Sequence, residues 1–368
     1  MKFSEMILAE PSVFAVENRY QICVIVAAEC TMWVSVGNKT YYDHSNGILR
    51  SGKYLHKVEL PMQALDAEKK YTIYLRPIVE RKPYFTETKE PVSAEYTFSP
   101  IQKKEKYNII SIADAHNLVE EPVNAGTHFA EDLDMLVLCG DVPNHAGDVE
   151  FFKAIYRIAG GITCGRVPCV YARGNHDMRG IYGEQLTEYS PSNNGVSYYT
   201  FSLGEIWGVV LDCAEDKPDT NPEYGFTICC KEFREEETEF LLNEIEKGEW
   251  KNYPIRLIVT HHPFSHRIRP PFDIEQERYA LWSRELKKIS PTLMISGHLH
   301  ECFFEQPGQA HDTFGFPCPV ACVSWVDCEK HKYICGAITI GADGSIEVGA
   351  INESKVYTQI NPNSAIKC

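Results

Sequence analysis

No stretch of this chain is apolar for the roughly 20 residues that a membrane-spanning helix needs. The opening "MKFSEMILAEPSVFAVENRYQ" has no apolar run behind a basic segment, so it predicts neither a secretory signal nor an anchor. Cysteine is plentiful, at 14 residues, but a spaced cysteine framework is missing. Most cysteines lie inside apolar runs such as "YQICVIV", "LVLCG" and "HKYICGA", where they read as small buried hydrophobes. Adjacent Cys229 and Cys230, with no paired C-x-x-C elsewhere, argue against a zinc ribbon and predict reduced thiols in the cytoplasm. Basic charge is scarce as well: 36 Lys and Arg against 51 Asp and Glu leave a net charge of -15. Such a chain repels long polyanions and anionic membranes, so a small ligand is expected rather than nucleic acid or a lipid surface. Internal repeats and low-complexity segments are absent.

What is present suffices for a large core, since 44% of the residues are hydrophobic and 11% aromatic, and the length predicts two domains. From about residue 20 to 99 short segments alternate with period two. Met32, Val34 and Val36 oppose Trp33 and Ser35, while Tyr71, Ile73 and Leu75 oppose Thr72, Tyr74 and Arg76. Turn-forming stretches such as "DHSNG" separate them as in a small antiparallel sandwich. Leu65 followed by Tyr71, Ile73 and Leu75 resembles the tyrosine-corner region of fibronectin type III-like domains. The charged "IQKKEKY" then marks a boundary, which divides the chain into a sandwich over residues 1–100, a second domain over 105–351 and a tail over 352–368.

Beyond the boundary, apolar strands alternate with amphipathic helices. The candidate strands "YNIISIAD", "DMLVLCGD", "VPCVYARG", "IWGVVLDC", "IRLIVTHH" and "PTLMISGH" are continuously apolar, as expected for sheets covered on both faces. Residues 232–247 predict a helix, with Phe233, Phe240, Leu241 and Ile245 near helical spacing and Gly248 as its stop. After residue 315, strands return without helices.

Five of the six apolar strands end in residues that ligate metals: Asp114-Ala115-His116, Gly140-Asp141, Gly174-Asn175-His176-Asp177, His261-His262-Pro263 and Gly297-His298-Leu299-His300. In open α/β sheets the carboxyl ends of strands share one crevice, so such residues can converge. An Asp or His at one strand end is more often a cap or a solvated group. Five in this order are specific: D-x-H, GD, GNHD, HHP and GHxH resemble the calcineurin-like metallophosphoesterase superfamily over about residues 107–350.

That resemblance implies a four-layer αββα domain that hydrolyses a phosphate mono- or diester with two divalent metals. It implies Asp114, His116, Asp141 and His300 around the first metal, and Asp141, Asn175, His261 and His298 around the second. Imidazole and carboxylate ligands suit Mn, Fe, Zn or Ni, and Asp141 can bridge two cations. The nucleophile would be a hydroxide bridging the metals, and His176 the general acid at the leaving-group oxygen. His262 is expected to line the pocket or support the ligands. Glycines 140, 174 and 297 are expected to turn the backbone sharply.

Two departures stand out. Relatives of calcineurin continue the second motif as G-D-x-x-D-R-G, and this chain has Asn144 and His145 there. Asn144 can accept a hydrogen bond from His176 without supplying charge, and His145 can reach phosphate. Purple acid phosphatases also carry a leading sandwich, but their ligating Tyr is replaced by Asn144 and a Gly of their first motif by His116. The chain resembles them in layout and not in ligand set. Arg179, His266, Arg267 and Arg269 are candidates for contacts to phosphate or a second charged group, Arg179 foremost. The expected partner is therefore a small phosphorylated substrate. A cyclic-nucleotide phosphodiesterase or a purple acid phosphatase-like enzyme is the alternative. The intact ligand positions argue against a catalytically dead binding module, and the charge argues against a nuclease.

Overall fold

All six apolar segments form strands, each buried on both faces. In the computed structural model, which describes residues 2–266 and 268–366, they run Lys106–Ile112, Met135–Cys139, Pro168–Ala172, Ile206–Leu211, Ile255–Thr260 and Leu293–Ser296. The first three lie parallel and side by side in one sheet. The last three do the same in a second.

The sheets face each other. Ile109, Met135, Val137 and Val170 from the first and Val210, Leu257, Val259 and Ile295 from the second share one core. On the outer side, Ile110, Ile112, Leu136 and Leu138 cluster with Ile155, Ile158 and Ile162 of the Lys153–Thr163 helix. Trp207, Val209, Ile258 and Met294 cluster with Leu241 of the Cys230–Lys247 helix and with Trp282 and Leu286 of the Gln276–Leu286 helix. The result is a mixed α/β arrangement layered helix, sheet, sheet, helix. Among the described residues no helix is long and apolar enough to cross a membrane.

The strand Val320–Asp327 belongs to both sheets. Val320, Ala321 and Cys322 pair with Leu293–Ser296 in the second, and Ser324 to Asp327 pair with Lys332–Gly341 in the first. The Cys230–Lys247 helix stops at Gly248, in the left-handed conformation at φ 71°. Its buried face differs from the apolar row expected, because only Leu241 of the four named residues is fully buried, beside Arg234, Glu237, Thr238 and Glu244. Arg234 Nη1 donates to the carbonyls of Cys213 and Glu215, and Glu237 Oε1 accepts the Asp212 N–H, so this polar face anchors the loop after Leu211.

The first hundred residues form two layers. One holds Ser12–Val16, Arg19–Ile25 and Leu55–Pro61; the other is ordered Val92–Thr97, Lys70–Glu80, Cys30–Val36, Lys39–Tyr42. Tyr20, Ile22, Val24 and Val58 meet Met32, Val34, Ile73 and Leu75 between them. The first layer is continuous with the first large sheet: Ser12–Val16 pairs in parallel with Pro168–Ala172, Val13 opposite Pro168 and Phe14 opposite Cys169. One hydrophobic core runs from Phe3 to Ile360, on both sides of residues 100–105. Tyr71 departs from the tyrosine corner. Its hydroxyl donates over 3.0 Å to the carbonyl of Gly165, 94 positions away, instead of to nearby backbone. Within residues 352–368, expected as a tail, Tyr357–Ile360 pairs with Ile346–Asn352 and Ser364–Ile366 with Cys302–Glu305.

Candidate metal centre

Chain direction gathers the five motifs, because each follows the carboxyl end of one of the parallel strands in two facing sheets. The backbone there is strained. Asp114, His116, Asp141, His298 and His300 hold φ of 53°, 43°, 52°, 70° and 53°. Non-glycine residues enter that region rarely, at a cost of roughly 1–3 kcal/mol each, and persist where surrounding structure compels them. Of the three motif glycines only Gly140 turns through positive φ, at 85°. Close approach explains the others: a Cβ on Gly174 would lie 2.2 Å from Asp141 Oδ1 and 2.3 Å from Asp141 N.

Asp141 sits in the middle. Its Oδ2 lies 3.1 Å from His261 Nε2 and 4.0 Å from His176 Nε2. Asp114 Oδ1 lies 3.4 Å from His300 Nε2 and 3.8 Å from His261 Nε2, and His116 Nε2 is 3.4 Å from His300 Nε2. Ligand atoms fall into overlapping groups whose members lie within 4.8 Å of one another: Asp114, His116 and His300; His116, Asp141 and His176; Asp114, Asp141 and His261; His261, His262 and His298. Asn175 adjoins the last group, its Oδ1 3.2 Å from His262 Nε2.

Outer contacts aim these groups. His261 Nδ1 donates to the Cys139 carbonyl at 2.7 Å, which leaves Nε2 for the carboxylates. His298 Nε2 meets Asp216 Oδ2 at 3.3 Å. The Ser324 hydroxyl and the His298 N–H, the latter at 2.9 Å, both donate to Asp114 Oδ2 and leave Oδ1 bare. Buried Asp114 Oδ1, His116 Nδ1 and His261 Nε2 have no hydrogen-bond partner, although such atoms are normally satisfied. Burial alone would raise the Asp114 and Asp141 carboxyls, yet His261 holds both below the usual range. Burial would likewise lower His261, and the Asp141 and Asp114 charges instead raise it to about 10. The cluster's field therefore favours a cation. Carboxylate, amide and imidazole donors of this kind fit a divalent transition metal.

The residues expected on the substrate side are distributed unevenly. His176 Nδ1 donates to the backbone carbonyl of Asn144 at 2.7 Å, so the acceptor is main chain and not the side-chain amide expected. His145 Nδ1 accepts its own loop's Gly147 N–H at 3.0 Å, and its ring stands edge-on to Phe151. Arg179 grips Glu215 through Nε and Nη2, at 2.6 and 2.8 Å, and turns Nη1 to within 3.1 Å of His176 Nε2. His266 Nδ1 lies 3.4 Å from the His311 carbonyl, Arg269 is exposed, and Arg267 lies outside the described residues.

Three carboxylates add to the set. Buried Asp177 accepts from Asp141 N at 2.7 Å, from Gly174 N at 3.2 Å and from the Tyr171 hydroxyl, which locks the second and third motifs together. Burial, with the Asp141 charge second, pushes its carboxyl up to about 7. Glu215 and Asp216 position Arg179 and His298. Their signal is the sixth strand end, "IWGVVLDCAED", which carries three carboxylates where the other strands carry the candidate ligands.

A family model for calcineurin-like phosphoesterases matches residues 107–302, and the chain belongs to that family of metal-dependent phosphoester hydrolases. Among solved structures, the purple acid phosphatase PPD1 from yellow lupin (Lupinus luteus) seeds is similar at a TM-score of 0.59 and 12% identity, over 96% of this chain and 74% of that one. PhoD is similar at a TM-score of 0.56 and 10% identity, over 99% of this chain and 94% of that one. At these identities the likeness is one of fold. No curated protein matches the chain.

Proposed function

We propose that the chain is a binuclear phosphoesterase acting on a small phosphate mono- or diester. Asp114, His116, Asp141 and His300 would hold one divalent cation, and Asp141, Asn175, His261 and His298 the other. The observation that carries this is the position of Asp141, which shares one ligand group with His116 and another with Asp114 and His261. Two cations in such a site supply Lewis acidity, acidify a water and offset phosphoryl charge.

The protein's own groups do the rest. The His176 N–H holds Asp141 Oδ1 at 2.8 Å, which fixes the carboxylate plane and keeps Oδ2 toward the histidines. His262 steadies the Asn175 amide. With Nδ1 committed to the Asn144 carbonyl, His176 keeps Nε2 toward the substrate side, where it accepts from Arg179 Nη1; as an imidazolium, with Arg179 turned to the phosphoryl group, it would give a proton to the leaving-group oxygen. That carbonyl orients the ring but supplies no full charge to an imidazolium. Arg179, held by Glu215, offers Nη1 to a phosphoryl oxygen. The three-plus-four strand order of the first hundred residues supports reading them as a fibronectin type III-like sandwich, one of whose sheets the catalytic sheet has annexed.

The test is elemental analysis of manganese-reconstituted protein, alongside turnover of p-nitrophenyl and bis-p-nitrophenyl phosphate. Two metals per chain and turnover of at least one ester are expected. A plateau at one metal that Asp141→Asn leaves undisturbed would overturn the bridged centre.

A further inference from the structure

Beside the metal centre lies a cavity of about 680 Å³, a volume that suits a small-molecule site. Its walls come from the segment after His176, the loop after Leu211 and the start of the Cys230–Lys247 helix, and include Met178, Ile181, Tyr224, Ile228 and Phe233. Arg179 belongs both to this cavity and to the centre, since it lines the wall while its Nη1 stands 3.1 Å from His176 Nε2. Arg179 thus connects the cavity to the side of His176 that faces the substrate.

The chemistry of the walls restricts what that group can be. Both guanidinium groups at the cavity are already neutralised: Arg173 Nε lies 2.5 Å from buried Asp212, and Arg179 is forked onto Glu215. Tyr224 adds its hydroxyl to Glu215 at 3.0 Å. Glu184 and Glu223 stand at the same cavity, with Glu223 paired to Lys217. A second phosphate would meet paired cations and additional carboxylates. An apolar group would instead meet isoleucine, methionine and aromatic surface. Ile181, at 69% exposure, and Phe226, at 74%, are large apolar side chains left in water on the segments that bound the cavity.

We infer that this cavity receives the alcohol part of the ester and selects an uncharged, apolar alcohol, aryl or branched alkyl, over one that carries a further phosphate. The inference rests on the reading of the metal centre above. The probes are 2-naphthylphosphonate and methylphosphonate, whose carbon–phosphorus bonds are stable, titrated calorimetrically into manganese-loaded protein. Wild type is compared with Ile181→Ser, a change at an exposed position that leaves the core intact, and with Ile228→Ser. Burying roughly 55 Å² of additional ring surface predicts a preference for the naphthyl compound of about tenfold or more. Each substitution should reduce that ratio about threefold, on the same area reasoning. A ratio near one in the wild type, or one that both variants leave unchanged, overturns the assignment. Turnover of 2-naphthyl phosphate is measured in parallel. Preserved preference without turnover supports the cavity and counts against the hydrolytic reading of the centre.

Discussion

Replacing Gly174 with alanine adds one methyl group against the central carboxylate. The nearest atoms would be Asp141 Oδ1 at 2.2 Å and Asp141 N at 2.3 Å. Carbon contacts become comfortable near 3.5 Å, so roughly 1 Å of relief is needed. Asp141 cannot yield freely, because its N–H is pinned by Asp177 at 2.7 Å and its Oδ1 by the His176 N–H at 2.8 Å. Overpacking of this kind costs about 1–3 kcal/mol. Where the cost falls on the ligand position, cation affinity drops by about 5- to 150-fold. Thermal unfolding measured across a manganese titration separates the two effects. A bound cation raises the midpoint by mass action, so the variant's rise should shift to concentrations about 5–150 times higher, whatever its metal-free midpoint. A metal-dependent rise superimposable on that of wild type would refute the reasoning.

Two further outcomes are expected. His176→Ala should slow hydrolysis of an alkyl phosphate by about 10²–10⁴-fold and that of p-nitrophenyl phosphate far less, with metal content retained. Equal loss on both esters, with metals bound, assigns His176 to ground-state binding instead. Asp216→Asn removes the carboxylate behind His298 and should weaken cation binding about 10- to 100-fold, read by equilibrium dialysis. Unchanged affinity would make that contact incidental.

The five motifs were legible because the signal is directional. A parallel strand delivers whatever follows it to one edge of its sheet, so Asp114 or His298 needs only an apolar run before it to be placed. Glu215 and Asp216 were not legible in the same way. Their meaning depends on Arg179 and His298, residues of other loops, and an acidic pair after a strand usually faces water. Asn144 shows a different limit. The side-chain amide was expected to accept from His176, but the atom that meets the ring is a carbonyl that any residue would supply. The same holds for the first hundred residues. Alternation in Met32 to Val36 marks strand and buried face, while the neighbour of Ser12–Val16 is chosen by backbone groups that carry no residue identity.

That pairing has a practical consequence. Trimming the chain at residue 105 to obtain a minimal enzyme would strip Pro168–Ala172 of one of its two neighbours and leave that hydrogen-bonding edge open to other chains. The same strand leads directly into Gly174, Asn175 and His176. Frayed at that edge, it would carry the third motif with it, so the shortened protein is expected both to aggregate and to misplace Asn175 and His176. The leading segment is better regarded as a splint than as an appendage.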